Sequence, residues 1–446
     1  MTRPGALCHV VGAGLAGLSA ALRLAEAGHA VRLHEAAAQA GGRCRSYDDR
    51  EIGRRIDNGN HMLFSANTAA LAYLDVLGAR GTMIELDRAR FPFLDLGTGE
   101  RWCVAPNAGP IPWWILSTAR RVPGTRLADY RALLRLMTAG RGATVADVVG
   151  NTGPLARRLI EPLAVAVLNS GTAEGSAWLL GRMIARSFAR GGRACRALIA
   201  RDGLSESFVQ PALARLRALG VEPGFNRRLR TVEFAGDRAS RLGFGGEWLA
   251  LGPDDKVLLA VPPQIAAQLL PGLAVPTESR AILNAHFRLD RPYAPPDGIP
   301  FLALVGGTVH WLFFRGDVAS ATVSAADALI DRPADELAVL LWRDVATALG
   351  RPGAPLPAHR IIKEKLATFA QVPAALGRRP GARTRWPNLF LAGDWTETGL
   401  PATIEGAIRS GADAAALIAA VAGDPRTRPA DAGRTQAGAL RLADTH

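Results

Sequence analysis

Residues 7–35, LCHVVGAGLAGLSAALRLAEAGHAVRLHE, decide the fold of this 446-residue chain. The apolar run 7–11 predicts a short, buried parallel strand. The segment 18–27 has the spacing of a helix and stops at Gly28, a residue suited to the position after a helix. The run 30–35 predicts a second strand, which closes on Glu35. Strand, helix and strand in this order indicate an α/β fold with a parallel sheet.

Three glycines form a GxGxxG pattern where the first strand meets the helix. Gly12 permits a tight turn, Gly14 lets a pyrophosphate approach the backbone, and Gly17 lets helix and strand pack closely. The helix N-terminus presents unpaired N–H groups and a positive dipole end to phosphates. Glu35 is placed to accept hydrogen bonds from an adenosine ribose. The pattern therefore predicts a dinucleotide-binding site.

Three more stretches extend this pattern: AAAQAGGRCRSYDD (36–49), IDNGNH (56–61) and LFLAGDWTETGLPATIEGAIRSG (389–411). With the GxGxxG unit they resemble the flavin amine oxidase and phytoene desaturase superfamily. The resemblance implies that the dinucleotide is FAD. It also implies that Gly41, Gly42 and Arg43 lie beside the FAD diphosphate and ribityl chain, where Arg43 can pair with phosphate.

The resemblance assigns the rest of the cofactor site to the C-terminal stretch and a middle segment. Asp394 would hydrogen-bond the ribityl hydroxyls or a phosphate-linked water. A helix predicted to begin near Pro401 would direct its positive end at the flavin. The segment 220–263 would contact the adenosine end through its backbone near Val232. The other residues that the resemblance places at the cofactor are Leu15, Ala16, Ala36, Asn58, Gly59, Gly393, Ala402, Thr403 and Ile404.

The same assignments predict a two-domain organisation. A doubly wound, Rossmann-type FAD domain would be assembled from the segments 1–88, 205–263 and 385–424. A mixed α+β substrate domain, with helices over a mainly antiparallel sheet, would occupy 89–204 and 264–384. The tail 425–446 is rich in Gly, Pro and charge and is predicted to be disordered.

The substrate is suggested by further stretches, among them EPLAVAVLNSG (161–171), ALVGGTVHWLFFRG (303–316) and EKLATFAQVP (364–373). Together with DNGNHML they resemble the hydroxysqualene dehydroxylase family over roughly residues 7–421. The resemblance implies reduction of hydroxysqualene to squalene, with reduced FAD as the hydride source. Two alternatives stay open: a carotenoid or phytoene desaturase, and an amine oxidase on another apolar substrate. A protein that holds FAD without turnover is a third class.

Such a reaction needs an acid, because hydroxide is a poor leaving group. His61 is the first candidate, since histidine can carry a proton near neutral pH. Asp57 either orients His61 or caps a turn. His310 is expected to be a satisfied core or edge histidine, and Glu405 to lie on a solvated helix face. An apolar substrate tunnel is predicted from Trp311, Phe313, Phe314 and Phe369.

Several functions are disfavoured by the sequence. Neither GxSxG nor HExxH occurs, and the four cysteines form no CxxC pair, so we expect no metal site. An amine oxidase would typically place a lysine near the flavin, and only Lys365 could serve. Because a second GxGxxG unit is missing, a reductase would draw its electrons from a separate donor or from a transiently bound nicotinamide.

The formal net charge is +13, and only three of the 53 basic residues are lysine. The arginines are scattered, which argues against a nucleic-acid partner. Trp113 and Trp114, followed by arginines, predict either a membrane contact or an internally packed helix pair with a solvated arginine face. The arginines are Arg120, Arg121, Arg126 and Arg131. Without a secretory signal or a long apolar run, we expect a cytoplasmic protein, peripheral at the inner face of the membrane under the first reading.

Overall fold

A computed structural model describes residues 6–423. The tail predicted at 425–446 lies outside the described residues. The strands are β1 Leu7–Val11, β2 Ala30–His34, β3 Ser46–Asp49, β4 Arg54–Asp57, β5 Leu63–Phe64, β6 Met83–Glu85, β7 Phe91–Asp95, β8 Arg101–Val104, β9 Ala197–Ala200, β10 Thr231–Ala235, β11 Arg238–Gly243, β12 Trp248–Ala250, β13 Lys256–Leu259, β14 Ser279–Arg288, β15 Phe301–Val305, β16 Trp311–Arg315, β17 Val318–Val323, β18 His359–Phe369 and β19 Leu389–Leu391. The helices are α1 Leu15–Glu26, α2 Thr68–Val76, α3 Arg131–Met137, α4 Val145–Val149, α5 Glu161–Leu168, α6 Ala177–Arg186, α7 Gln210–Ala218, α8 Pro263–Leu269, α9 Ala334–Ala348, α10 Pro373–Leu376 and α11 Ile404–Gly423.

A four-stranded parallel sheet, in the order β19-β13-β1-β2, joins three distant parts of the chain. Its strands are apolar runs because a parallel sheet is covered on both faces. Helices α1 and α11 lie together on one face. They approach closely at Gly411, where a β-carbon would overlap the Ala16 carbonyl oxygen. This sheet, in the βαβ order that residues 7–35 predicted, confirms the α/β fold class.

A second, seven-stranded sheet has the order β18-β14-β17-β16-β15-β7-β8. Its neighbours are antiparallel except for β15 and β7. Alternate residues face opposite sides of a strand, so each face has its own chemistry. One face is apolar and packs on α9, where the Phe287 and Trp342 rings lie 5.1 Å apart. The other face bears the candidate site. The residue boundaries predicted for the two domains stay a prediction.

Two buried histidines lie side by side in the parallel sheet. His9 on β1 and His34 on β2 pair through Nδ1 and Nε2, 3.2 Å apart. Burial lowers the pKa of His9 to about 4 and that of His34 to about 3. Both rings are therefore neutral in the folded protein at pH 7.

We expect the free energy of unfolding to fall as the pH is lowered from 6.5 towards 4. In this pH window the histidine is protonated in the unfolded chain but neutral in the folded protein. Each of the two histidines therefore lowers the free energy of unfolding by up to about 1.4 kcal/mol per pH unit. Thermal unfolding across this range measures the effect. The double variant His9→Asn, His34→Asn should lose stability less steeply with falling pH, whatever its stability at neutral pH. Equal slopes in both proteins would contradict the prediction.

Candidate active site

The turn between β1 and α1 has no room for side chains at two of its glycines. A β-carbon on Gly12 would meet the Ala260 carbonyl, and Gly12 itself adopts φ +103°. A β-carbon on Gly17 would overlap the Gly12 carbonyl oxygen. At Gly14, by contrast, a β-carbon would meet nothing within 4 Å. Of the three glycines, only Gly14 has free space beside its Cα. It precedes the N-terminus of α1, which no side chain caps.

A second glycine turn faces the first. The Gly41 N–H donates to the Ala13 carbonyl at 2.8 Å, and a β-carbon on Gly42 would lie 3.5 Å from the Gly14 Cα. Two turns without side chains thus border one cleft at the positive end of α1. We call these two turns, around Gly14 and Gly42, the glycine cradle. A cradle of this kind fits the pyrophosphate of a dinucleotide.

Glu35 lies at the end of β2, beside this cleft. Its carboxylate accepts hydrogen bonds from the Ala13 N–H at 2.6 Å and the Ala37 N–H at 2.8 Å. The side chain is half-buried, and the neighbouring Ala36 is exposed. Glu35 therefore braces the glycine turn in this structure, while its predicted contact with a ribose stays a prediction.

Arg43 and Asp394 pair with each other across the cleft, at 2.8 Å between Nη2 and Oδ1. Asp394 is buried, whereas the Arg43 side chain keeps 45% of its surface exposed. The carboxylate of Asp394 raises the pKa of Arg43. This ion pair joins the second glycine turn to the C-terminal stretch, and so holds two distant segments at one place.

The helix predicted to begin near Pro401 begins instead at Ile404. Thr403 precedes it, and its hydroxyl oxygen accepts the Gly406 N–H at 3.1 Å, as an N-cap residue does. The Ala402 N–H donates to the side chain of Gln371 at 2.8 Å. The prediction was wrong because a side-chain cap, rather than a proline in the first turn, starts this helix. Gly393 lies further upstream, where its N–H donates to the Ser410 hydroxyl.

Arg379 organises the loop 394–400 and was missed from the sequence. This buried guanidinium donates to the carbonyl oxygens of Asp394, Trp395 and Leu400 at 3.1, 3.3 and 2.9 Å. Burial lowers its pKa. Trp395 anchors the same loop by donating its indole N–H to the Val261 carbonyl at 2.9 Å. No local pattern distinguishes Arg379 from the chain's other arginines, because its partners follow it by many residues.

Glu405 does not lie on a solvated helix face, as the sequence suggested. It is buried, and its carboxylate accepts the N–H groups of Ala69 and Ala70 at 3.1 and 2.9 Å. These are N–H groups of the first turn of α2, which lack a partner within their own helix. Glu405 therefore joins α11 to α2.

Asp57 and His61 belong to one loop but are not hydrogen-bonded to each other. The Asp57 carboxylate is occupied by the Ser46 hydroxyl, the Leu204 N–H and the Arg315 guanidinium, at 2.5, 2.9 and 2.8 Å. The His61 side chain is solvent-exposed at the end of this loop, and neighbouring protein atoms desolvate its ring. This desolvation lowers the pKa of His61 to about 4.

The loop 57–60 rests on polar residues of the seven-stranded sheet. Asn60 donates to the Thr322 hydroxyl at 2.9 Å, and the side-chain amide of Asn284 donates to the Asn58 carbonyl at 3.3 Å. Gly59 fits against Asn284, whose amide nitrogen would lie 3.2 Å from a β-carbon there. The Asn58 side chain donates to Glu364 at 3.1 Å. These bonds fix the backbone that carries His61.

The same sheet face continues from polar to aromatic residues. Strand register places Asn284 opposite Thr322, and Thr322 opposite Trp311. The aromatic residues of this face are Phe91, Phe301, Trp311 and Phe313, and Phe64 of β5 packs against Phe91. We call these five residues the aromatic wall; successive ring centroids lie 5.7 to 6.4 Å apart. Because Phe64 follows three residues after His61, the loop lies where a polar surface meets an apolar one.

Two residues predicted for the tunnel do not belong to this face. Phe314 alternates with Phe313, so it points to the opposite side and packs on Tyr293, with centroids 4.6 Å apart. Phe369 is buried in a separate cluster, with the Arg379 guanidinium 5.1 Å from its ring. An aromatic residue in a sequence does not reveal which face or cluster it joins, and the place of these two residues in a substrate tunnel stays a prediction.

The other sequence candidates have structural partners. His310 accepts the Ser324 N–H through Nδ1 at 3.1 Å, and burial lowers its pKa to about 4. Lys365 is exposed and pairs with Asp331 at 2.6 Å. Val232 is buried in β10, which pairs on one side only, with β11, within the described residues. The backbone groups on the outer edge of β10 thus have no partner strand.

An exposed apolar patch lies in the segment 111–134, beside the cluster that contains the aromatic wall. We call it the surface patch; its members are Ile111, Trp113, Leu116, Leu127 and Leu134. Trp113 is 61% exposed. Trp114 was grouped with it from the sequence but is buried against Tyr130, with ring centroids 5.5 Å apart. No helix within residues 6–423 has the length and apolar character to cross a membrane.

Comparisons with known proteins agree with this site. Residues 15–419 match the family described as flavin containing amine oxidoreductase. A protein named hydroxysqualene dehydroxylase from Rhodopseudomonas palustris is 49% identical, over 92% of this chain and 98% of the relative. One of the same name from Sinorhizobium fredii is 47% identical, over 92% and 97%. The solved structure of cyclohexylamine oxidase from Brevibacterium oxydans shares the fold at 17% identity and a TM-score of 0.67, over 94% of this chain and 99% of that one.

The glycine cradle and the matched family together indicate a flavin cofactor. The identity to the curated relatives extends over nearly their whole length. This chain therefore belongs to the flavin containing amine oxidoreductase family and, within it, to the hydroxysqualene dehydroxylases.

Proposed function

We propose that this protein is an FAD-dependent oxidoreductase that reduces hydroxysqualene to squalene. The observation that carries the proposal is 49% identity, over 98% of its length, to a relative named hydroxysqualene dehydroxylase. When bound and reduced, FAD would supply a hydride for this reaction. Because the described chain offers one glycine cradle, we propose that a separate donor delivers the electrons.

The residues of the cleft fit the proposed cofactor. The open backbone at Gly14 and the uncapped start of α1 would hold the diphosphate, and Glu35 the adenosine ribose. Arg43 and Asp394 lie where the two terminal segments of the cofactor site meet. Their charges suit a phosphate and a hydroxyl-bearing chain, respectively. We keep the proposal that the other residues named from the sequence contact the cofactor. They are Leu15, Ala16, Ala36, Gly41, Gly42, Asn58, Gly59, Val232, Gly393, Ala402, Thr403 and Ile404.

The chain's own residues would govern the loss of oxygen. The allylic carbon–oxygen bond breaks, a hydride takes the place of the hydroxyl, and the oxygen leaves as water once it has received a proton. We propose His61 as the proton donor, because it lies on the loop between the polar surface and the aromatic wall. The wall, through Trp311 and Phe313, would hold the polyene and exclude water. Since the His61 ring is neutral at pH 7, it must first take up a proton.

An anaerobic experiment tests this function. The purified protein is checked for flavin by absorbance, photoreduced, and mixed with hydroxysqualene in detergent. We expect squalene in a one-to-one ratio to the flavin that is reoxidised. Absence of squalene would reject the assignment, and polyenes would then be offered to the oxidised protein to test the desaturase alternative. An unreactive flavin in both directions would indicate a protein that holds FAD without turnover.

We also propose that the surface patch contacts the inner face of the cytoplasmic membrane. Tryptophan favours the membrane interface, and the exposed Arg120, Arg126 and Arg131 nearby would meet anionic headgroups. The surface patch adjoins the apolar cluster of the aromatic wall, which provides a short route for an apolar substrate. A contact of this kind needs no helix that spans the bilayer.

Replacing Trp113 with Ser is expected to weaken binding to anionic liposomes by about tenfold, because a large interfacial side chain is lost. Flotation of the purified protein with liposomes measures it. Trp248→Ser is the matched control, since Trp248 is also exposed, at 43%, but lies outside the surface patch. Flavin content should stay unchanged in both variants. Equal liposome binding by the Trp113 variant and the wild-type protein would reject the membrane contact.

A further inference from the structure

A small pocket outside the glycine cradle is lined by arginines, and none of its lining residues is an aspartate or glutamate. It has a volume of about 260 Å³ and lies between the loop 271–274 and the segment 377–386. The side chains that matter here are Arg378, Arg379, Arg383, Thr384, Arg385 and Trp386. We call this site the arginine pocket.

Three of these arginines lack a counter-ion. Arg378, Arg383 and Arg385 are exposed, and none pairs with an aspartate or glutamate within residues 6–423. Arg141, a neighbouring arginine outside the pocket, does pair, with Glu397 at 2.7 Å. Like charges that gather in a concave site create a positive potential, which an anion relieves.

The walls of the arginine pocket are fixed in place. Trp386 is buried and stacks on Phe234 at 4.3 Å, and the Arg385 guanidinium lies 4.2 Å from the Trp386 ring. The Thr384 hydroxyl bonds to the backbone of Trp386 and Leu389. The floor of the pocket is therefore formed before any ligand arrives, and binding would need to order only the exposed arginine side chains.

Phosphate is the anion that suits these donors. Guanidinium groups present planar forks of N–H donors that bind phosphate oxygens in pairs, and they remain charged at all physiological pH values. We propose that the arginine pocket binds a phosphate group, carried either by a small soluble molecule or by a lipid headgroup. This inference does not depend on the proposed reaction.

The pocket also has a physical connection to the candidate active site. Arg379 lines the pocket and, from the same guanidinium, holds the carbonyl groups of the loop 394–400. A bound phosphate would therefore lie next to the residue that positions Asp394. This places the anion site where it can stabilise the loop.

Inorganic pyrophosphate is the probe for the soluble arm, titrated into the flavin-loaded protein by calorimetry at constant ionic strength. We expect saturable binding, weakened by about tenfold or more in the double variant Arg383→Gln, Arg385→Gln. The control is Arg50→Gln, Arg291→Gln, which removes two exposed arginines elsewhere and should bind as the wild-type protein does. Equal weakening in both double variants would show a general charge effect and overturn the site.

Vesicles form the second arm, made of phosphatidylcholine with or without phosphatidic acid. They are tested on the Trp113→Ser background, so that the surface patch does not contribute. If the Arg383, Arg385 double variant loses binding to phosphatidic acid vesicles but still binds pyrophosphate, the ligand is a lipid headgroup. If it loses pyrophosphate binding but still binds these vesicles, the ligand is a soluble molecule. If the variant changes neither, the arginine pocket does not bind phosphate.

Discussion

Replacing Gly14 with alanine is expected to give a folded protein that does not retain FAD. A β-carbon at Gly14 meets nothing within 4 Å, and the residue has an ordinary φ of −72°, so the fold should accept the methyl group. That methyl would occupy the space above the open backbone, where a pyrophosphate is proposed to approach. We expect FAD affinity to fall by about 100-fold, roughly 3 kcal/mol. Flavin absorbance per protein and the thermal midpoint of the apoprotein measure the two effects.

Gly17→Ala is the contrasting control for this prediction. Its β-carbon would overlap the Gly12 carbonyl oxygen, so the helix and strand must separate, at a cost of about 3 kcal/mol. This variant should lose stability even without flavin, while the Gly14 variant should not. If Gly14→Ala retains flavin as the wild-type protein does, the diphosphate does not lie over this turn. The comparison therefore separates binding from folding within a single motif.

The parts of the fold that were predictable depend on local sequence patterns. The order of strand, glycines, helix and strand in residues 7–35 appears in the structure as β1, α1 and β2. The two strands that complete the parallel sheet, β13 and β19, are likewise short and largely apolar, with the sequences KVLL and LFL. A buried parallel strand has little freedom in composition, because both of its faces are covered. Such strands can therefore be predicted from their own sequence, before the strands that pair with them are known.

Long-range contacts account for what the sequence did not reveal. Arg379 bonds to carbonyl groups of residues 394–400, and Glu405 caps a helix that begins at Thr68. Neither relation has a spacing that could be read along the chain. Trp114 was grouped with Trp113 because the two are adjacent, yet adjacent residues diverge in direction, and only Trp113 reaches the surface. The burial of a side chain and the direction in which it points are set by the elements that pack around it. A single sequence does not show which elements these are.

Replacing His61 with Gln is expected to lower kcat for hydroxysqualene by about 100-fold, the usual contribution of a positioned proton donor. Glutamine keeps a polar side chain of similar size but cannot carry the proton. Flavin content should be retained, because His61 lies outside the glycine cradle. His310→Gln is the matched control, since burial also lowers the pKa of His310 to about 4 while its Nδ1 is committed to Ser324. Steady-state squalene formation with an excess of reductant measures both variants.

The pH dependence of kcat distinguishes proton donation by His61 from a structural role. With a pKa of about 4, only a small fraction of the His61 rings is protonated at neutral pH. The rate should therefore rise as the pH falls, by about tenfold per pH unit while the pH stays above that pKa. Measurements from about pH 8.5 to about pH 6.5 stay above the acid window in which His9 and His34 weaken the fold. In His61→Gln the profile should be flat, whereas His310→Gln should keep the wild-type slope. A wild-type slope in the His61 variant would assign the proton to another group.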